Sequence, residues 1–265
     1  MELKYSAVKI KDLNFSYDGD PQEETLNNIS INIEKGKFYT ILGPNGSGKT
    51  TLIRLISKAL NIKQEKIFIG DKDIININSK TLAKKLAVVP QSTSIEFDFS
   101  VHDIVLMGRS PHISRFSSES EEDIKIVKNA MEMTNTWNLR HKNINALSGG
   151  ERQMVIVARA IAQETEIVLL DEPISNLDIH HQIEILNQIK LLNREKQRTI
   201  IAVLHDLNIA TAYSDYMILM NNGKIHSIGT PENVLKKDVI KEVYGLDVHI
   251  ISDPVSGRPV IIPII

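Results

Sequence analysis

The chain's strongest constraint on fold is one uninterrupted passage. The apolar run FYTIL (Phe38 to Leu42) leads into GPNGSGKT (Gly43 to Thr50), and TTLIRLISKAL continues at helical spacing. The eight-residue turn matches G-x-x-x-x-G-K-[ST] in full. A buried strand, a glycine turn and a helix in that order bring several backbone N–H groups to one point. Glycines let a bound anion approach the backbone closely. The helix N-terminus adds its dipole there, Lys49 supplies a charge for outer phosphates, and the Thr50 hydroxyl suits Mg²⁺. The passage therefore predicts a phosphate cradle on an α/β sheet.

The rest of the chain fits that fold class. VKIKDLNFSY and LNNISINIEKG alternate apolar and polar residues as half-buried antiparallel strands do, and EKIFIGDKDI reads as a further strand pair. LAVVPQ is another buried strand. From Ser92 to about Leu147 the character is helical, with Ser-x-x-Asp capping at SVHD and an acidic first turn in SESEEDIKIVKNAMEM. ALSGGERQMVIVARAIAQ reads as a helix, followed by the strand EIVLLDEP, the helix HHQIEILNQIKLLNREK and the strand TIIAVLH. That alternation argues for a parallel sheet. Near the end, Thr230 and Pro231 read as cap and first residue of a helix, and VHIISDPVSGRPVIIPII as a closing strand or hairpin.

Composition excludes several classes. The 265 residues can hold one large domain, or a domain with a subdomain. A net charge of −2, with acids and bases interspersed, lacks the basic excess of a nucleic-acid binder. With no cysteine there is no disulfide, thiolate metal site or thiol nucleophile. The first twenty residues show no signal-peptide core, and no apolar run reaches the roughly 18 residues of a spanning helix. The chain is expected in the cytosol, with any membrane role coming through a partner.

Three further places carry chemistry. EIVLLDEP ends an apolar strand in two acids, of which Asp171 suits water-mediated Mg²⁺ binding and Glu172 suits polarising an attacking water. His205 ends another apolar strand, where it is positioned for a γ-phosphate contact, and the neutral amide of Gln91 can reach a metal or water without adding charge. ALSGGERQ is a second glycine turn entering a helix, far from the first and without its lysine. Ser148, Gly149 and Gly150 offer a hydroxyl, backbone N–H groups and a helix N-terminus, which can cap a phosphate held elsewhere.

Taken in order, Tyr17, GPNGSGKT, Gln91, LSGGERQ, IVLLDEP, SNLD and His205 resemble the ATP-binding subunit of an ABC transporter, from about residue 7 to about residue 230. The resemblance implies a P-loop NTPase (RecA-like) core over residues 1–91 and 159–230 that includes an antiparallel β subdomain. It implies a helical ABC-specific subdomain over 92–158 and a C-terminal helix and strand segment over 231–265. It implies that Tyr17 stacks on adenine, that Gly43, Pro44, Asn45, Gly46, Ser47, Gly48, Lys49, Thr50 and Thr51 form the phosphate loop, and that Thr50, Gln91 and Asp171 hold Mg²⁺. Glu172 would be the catalytic base, His205 the switch histidine, and Asp178 part of the loop crossing a dimer seam. In such subunits two copies face head to tail, so each ATP lies between one copy's phosphate loop and the other's Ser148, Gly149, Gly150 and Glu151. Glu151 departs from the family, which commonly has Gln there.

HDIVLMGRSPH, LDIHHQIEIL and SDPVSGRPVIIPI are similar to ATPases of importers for iron–siderophore, haem and cobalamin complexes. The implied partners are a second copy, a membrane permease and, indirectly, a substrate-binding protein, with no nucleic acid. The implied location is the cytoplasmic face of the cell membrane. Zinc or manganese uptake, and a soluble non-transport ATPase such as an iron–sulfur assembly factor, are the alternatives. The mixed stretch from Gln91 to about Ser117 is where a permease helix would dock. His180 and His181 are adjacent on a helix and are expected to point apart, without chelating a metal.

Overall fold

The computed structural model describes residues 6–17, 24–62, 65–91, 97–114, 117–175 and 177–264. In chain order the strands and helices begin with β1 (Ser6–Phe15), β2 (Leu26–Glu34), β3 (Phe38–Leu42), α1 (Lys49–Ile56), β4 (Ile67–Ile69) and β5 (Lys72–Asp73). There follow α2 (Ser79–Ala83), β6 (Leu86–Val89), α3 (Val101–Leu106), α4 (Glu121–Met133), α5 (Gly149–Ala162), β7 (Ile167–Asp171) and α6 (Ile179–Lys196). The chain ends with β8 (Thr199–Val203), α7 (Leu207–Tyr213), β9 (Tyr216–Asn221), β10 (Lys224–Gly229), α8 (Pro231–Val234), α9 (Lys237–Tyr244), β11 (Val248–Ser252) and β12 (Pro259–Pro263). Two compact units emerge, one from the chain up to Ile77 together with Thr199 onward, the other from Asn78 to Arg198.

The first unit contains two kinds of sheet. β2, β1, β4 and β5 form an antiparallel sheet, and Leu26, Ile29, Ile31 and Ile33 of β2 point into its core while Asn28, Ser30, Asn32 and Glu34 face out. That alternation buries one face only. β3 is different, since all five residues are buried. It pairs in parallel with β8 (Ile41 opposite Val203) and with β9 (Leu42 opposite Leu219), an interior strand buried on both faces, with the Thr40 hydroxyl paired to that of Ser214. β10 extends this sheet antiparallel to β9. Helix α1 stops at Ile56, earlier than the apolar spacing suggests. Lys58 takes a left-handed backbone (φ 60) and its Nζ donates to the carbonyls of Ile74, Ile75 and Ile77, an anchor that ends the helix.

The C-terminal stretch is a hairpin of β11 and β12. Asn208 of α7 exchanges two hydrogen bonds with the Ile261 backbone, and Arg258 donates to the carbonyls of Thr211 and Ser214. The hairpin thereby supplies donors to the carbonyls that α7 leaves unpaired at its C-terminus. Thr230 has the backbone of a cap and Pro231 the first helical position, but the Thr230 side chain makes no cap hydrogen bond.

In the second unit β6 and β7 pair in parallel, Val89 opposite Leu170, and α3, α4 and α5 pack on one another. Three of its helices open with a reciprocal capping box: Ser100 with Asp103, Ser120 with Asp123, and Ser148 with Glu151. The far end of α5 is held by the GRSPH stretch. Arg109 is 5% exposed and donates to Asp123 (2.9 Å), to the Ala162 carbonyl (2.7 Å) and to Glu164 (3.0 Å), while the His112 ring meets the Gln163 carbonyl at 2.9 Å. Residues that the sequence marked only as a subfamily likeness thus fix the C-terminus of α5.

Candidate functional site

The first unit presents the phosphate loop. β3 and β8 end side by side, with the Leu204 N–H donating to the Ile41 carbonyl, so the loop after Leu42 and the exposed His205 leave from neighbouring strand ends. Gly43 has φ 146, and a Cβ there would lie 2.2 Å from the Met220 carbonyl oxygen. Only glycine fits that corner, on grounds of both conformation and space. Lys49 is buried and its Nζ donates to the carbonyls of Gly43 (2.9 Å) and Pro44 (2.8 Å), curling back over the loop. Ser47 Oγ is buried with no hydrogen-bond partner, an uncompensated group that an incoming phosphate oxygen would satisfy.

Around this loop the sequence-derived candidates are partly assembled. The Tyr17 hydroxyl lies 3.1 Å from Thr51 Oγ1, with its ring edge-on to Phe15 and 54% exposed. An exposed aromatic tethered to the helix behind the phosphate loop suits stacking on a flat base. Asn45 and Gly46 are exposed at the loop tip and Thr50 is half-buried at the start of α1. One contact escaped the sequence reading. Tyr244, at the end of α9, is raised to about 12 by burial, and the Gly43 backbone hydrogen-bonds to its hydroxyl. Its only signal was an aromatic closing an amphipathic helix just before a glycine.

The second unit holds the acids. β6 and β7 end together, and each continues two residues past the paired Val89 and Leu170, which brings Gln91 and Glu172 to one place. Gln91 Nε2 donates to Glu172 Oε2 at 2.7 Å. Glu172 sits in the left-handed region (φ 51), where a non-glycine residue carries strain. Its carbonyl accepts both the Ser175 N–H and the Ser175 hydroxyl, which holds the residue in that conformation. Asp171 is the last residue of β7 and 6% exposed.

The second glycine turn is in the same unit. Ser148 caps α5, its hydroxyl accepting the Glu151 N–H at 3.3 Å while the Glu151 carboxylate accepts the Ser148 N–H at 2.9 Å. The hydrogen bonds from Ser148, backbone first and then hydroxyl, hold the Glu151 carboxyl below its usual range. Glu closes this box as Gln would, which accounts for the departure at Glu151. Gly149 is exposed and Gly150 buried.

Asp178 caps α6, accepting the His181 N–H at 3.1 Å, and its other oxygen lies 2.6 Å from His181 Nδ1. The expectation that His180 and His181 point apart is corrected here. Their rings lie edge to face with centroids 5.5 Å apart, and Asp178, His180 and His181 bring one ligand atom each within 4.8 Å of one another. At a helix start the cap side chain folds back over the first turn, so the spacing rule for a helix interior does not apply. Asn176 of SNLD, residues 92–96 and residues 115–116 of the docking stretch lie outside the described residues. Phe97 in that stretch is 70% exposed and packs edge-on to Phe99 at 6.2 Å.

Residues 26–175 match the ABC transporter family. The iron(3+)-hydroxamate import ATP-binding protein FhuC of Bacillus subtilis is 40% identical over 235 residues, which span 89% of this chain and 87% of that protein. The ferric enterobactin transport ATP-binding protein FepC of Escherichia coli is 39% identical over 237 residues, 89% of this chain and 88% of that one. A solved structure described as a metal-chelate type ABC transporter in an inward-facing conformation superposes with a TM-score of 0.84 at 28% identity, covering 98% of both chains. The dimeric structure of MJ0796, a bacterial ABC transporter cassette, gives a TM-score of 0.74 at 26% identity over 84% of this chain and 98% of that one.

Proposed function

The chain belongs to the ABC transporter ATP-binding family, and from that premise we propose that it powers uptake of a metal–chelate complex through a separate membrane permease. It is an ABC ATPase with a P-loop NTPase fold. Among the described residues no helix is long and apolar enough to cross a membrane. The cargo reading rests on relatives whose names specify iron(3+)-hydroxamate and ferric enterobactin. A permease dimer with a substrate-binding protein outside and this chain on the cytoplasmic face completes the proposal.

One observation carries the mechanism. The α5 turn has a capped helix N-terminus and an exposed Gly149, but its own segment has no lysine to hold a phosphate. It is half a site. The other half is the loop Gly43 to Thr51 of a second copy, and ATP joins the two head to tail. Lys49 leaves the Gly43 and Pro44 carbonyls for the phosphates, Tyr17 stacks on the base, and Ser148 with the Gly149 and Gly150 N–H groups covers the γ-phosphate. Glu172 takes the proton of the attacking water and Gln91 orients its carboxylate. His205 holds the γ-phosphate, and Asp178 lines the seam. Thr50, Gln91 and Asp171 are oxygen donors of the kind Mg²⁺ prefers. When bound, Mg²⁺ neutralises phosphate charge. The working subdomains in this reading are 1–91 with 159–230, 92–158 and 231–265.

Reconstitution with the permease into vesicles tests the proposal. The expected result is ATP-dependent accumulation of a ferric siderophore, haem or cobalamin. Accumulation of free zinc or manganese instead, or no copurification with any permease, would overturn it.

A further inference from the structure

The two glycines of the α5 turn are glycines for different reasons. Among the described residues a Cβ on Gly149 would meet only Leu177 Cδ2, at 4.0 Å, so none of them forbids a side chain there. A Cβ on Gly150 would fall 2.5 Å from Cδ2, 2.7 Å from Cγ and 2.9 Å from Nε2 of His181. The His181 ring occupies the place a side chain would need.

That ring is not an idle neighbour able to swing aside. Its Nδ1 lies 2.6 Å from one Asp178 oxygen while the other Asp178 oxygen accepts the His181 N–H, so backbone and side chain are held by one carboxylate. The His181 side chain is only 33% exposed. The contact with His181 holds the Asp178 carboxyl below its usual range. The first turn of α6 therefore meets the first turn of α5 with the His181 ring against the Gly150 backbone.

We propose that His181 is a positioning residue for the α5 turn: pinned by Asp178, its imidazole is the seat on which Gly150 rests. The seat fixes where the Gly149 and Gly150 N–H groups point and makes the Asp178 loop and the α5 turn move as one piece. The inference rests on the reading of that turn as the half-site that completes ATP binding in a second copy. It adds that the two segments facing the partner copy are mechanically joined within each chain, so displacement of Asp178 is felt at the γ-phosphate cap.

The test is a double-substitution cycle in the full chain, comparing Gly150→Ala, His181→Ala and the pair, with Gly149→Ala as control. Alanine is the better helix former, so a penalty for Gly150→Ala comes from the site around it, where the three nearest atoms all belong to the His181 ring. Gly150→Ala alone should lower the melting temperature and cut turnover at saturating ATP by at least about tenfold, since small misplacements at a reacting centre are costly. In the His181→Ala background the same substitution should raise the melting temperature and restore part of the turnover. Affinity of the dilute, monomeric chain for a fluorescent ATP analogue should change by less than about twofold in every variant, because none of the contacts altered involves the phosphate loop. His181→Ala should not rescue Gly149→Ala. A pair no better than Gly150→Ala alone, or equal rescue at both glycines, would overturn the proposal. If the unsubstituted chain neither binds nor hydrolyses ATP, the functional reading fails instead, and the sign of the melting-temperature change still decides the contact.

Discussion

Replacing Arg109 with methionine tests whether the GRSPH stretch anchors α5. The substitution keeps most of the side-chain volume and removes the charge. It leaves Asp123, whose side chain is 12% exposed, without its ion-pair partner, and takes donors from the Ala162 carbonyl and from Glu164. Breaking a buried pair on one side typically costs about 3–5 kcal/mol. Asp123 retains the Ser120 N–H (3.0 Å) and hydroxyl (2.6 Å), and Glu164 is 46% exposed, so the lower end applies. At roughly 2–4 °C per kcal/mol for a chain of this size, about 3 kcal/mol is a fall of about 6–12 °C in Tm. Differential scanning fluorimetry of the purified chain measures it. Adding Asp123→Asn removes the stranded charge, and the pair should cost less than the sum of the singles. A fall under about 2 °C for Arg109→Met, or strict additivity, would refute the reasoning.

The same network sets an acid limit. Asp123 is lowered from 3.8 to about 2, first by the Ser120 hydroxyl, next by the Ser120 N–H and then by Arg109. A depressed carboxyl stabilises the fold above its unfolded value, so this contribution is present above about pH 4 and is lost as pH falls toward 2. Ser120→Ala should flatten that limb of the stability–pH curve, and an unchanged limb would contradict the assignment. Glu151→Gln retains the capping box and removes a negative charge beside the proposed phosphate position. Its Tm should stay within about 2 °C, and ATP-driven dimerisation should be as tight or tighter by sedimentation; weaker dimerisation would contradict the half-site account. Ser148→Arg should abolish turnover while monomer affinity for nucleotide is kept, whereas Lys49→Ala should lose both. Phe97→Asp should abolish copurification with the permease without lowering Tm, and intact copurification would remove that stretch as the docking surface.

The strand, glycine loop and helix around Gly43 were legible because one local passage must satisfy conformation, packing and charge together. The capping box at Ser100 was legible for the same reason, a four-residue pattern with a single geometric solution, whereas those at Ser120 and Ser148 emerged only in the fold. β9, β10 and α7 were not anticipated. YMILMN is a buried strand held between β3 and β10, pairings that short-range spacing cannot show. Tyr244 meets Gly43 across some two hundred residues of chain, and Arg109 finds three partners on α4 and near the end of α5. His181 on Gly150 was invisible for a further reason: a missing side chain leaves no pattern, and only the atoms around it say why it is missing.

The central claim is that each ATP site needs two copies and that Glu172 performs the hydrolysis. Light scattering on Glu172→Gln with saturating Mg²⁺–ATP, alongside a phosphate-release assay, measures both at once. The account predicts negligible turnover and a stable species of twice the chain mass holding two ATP, which reverts to monomer when Ser148→Arg is added. A Glu172→Gln chain that hydrolyses ATP at the unsubstituted rate, or one that binds ATP fully while remaining a monomer, would contradict it.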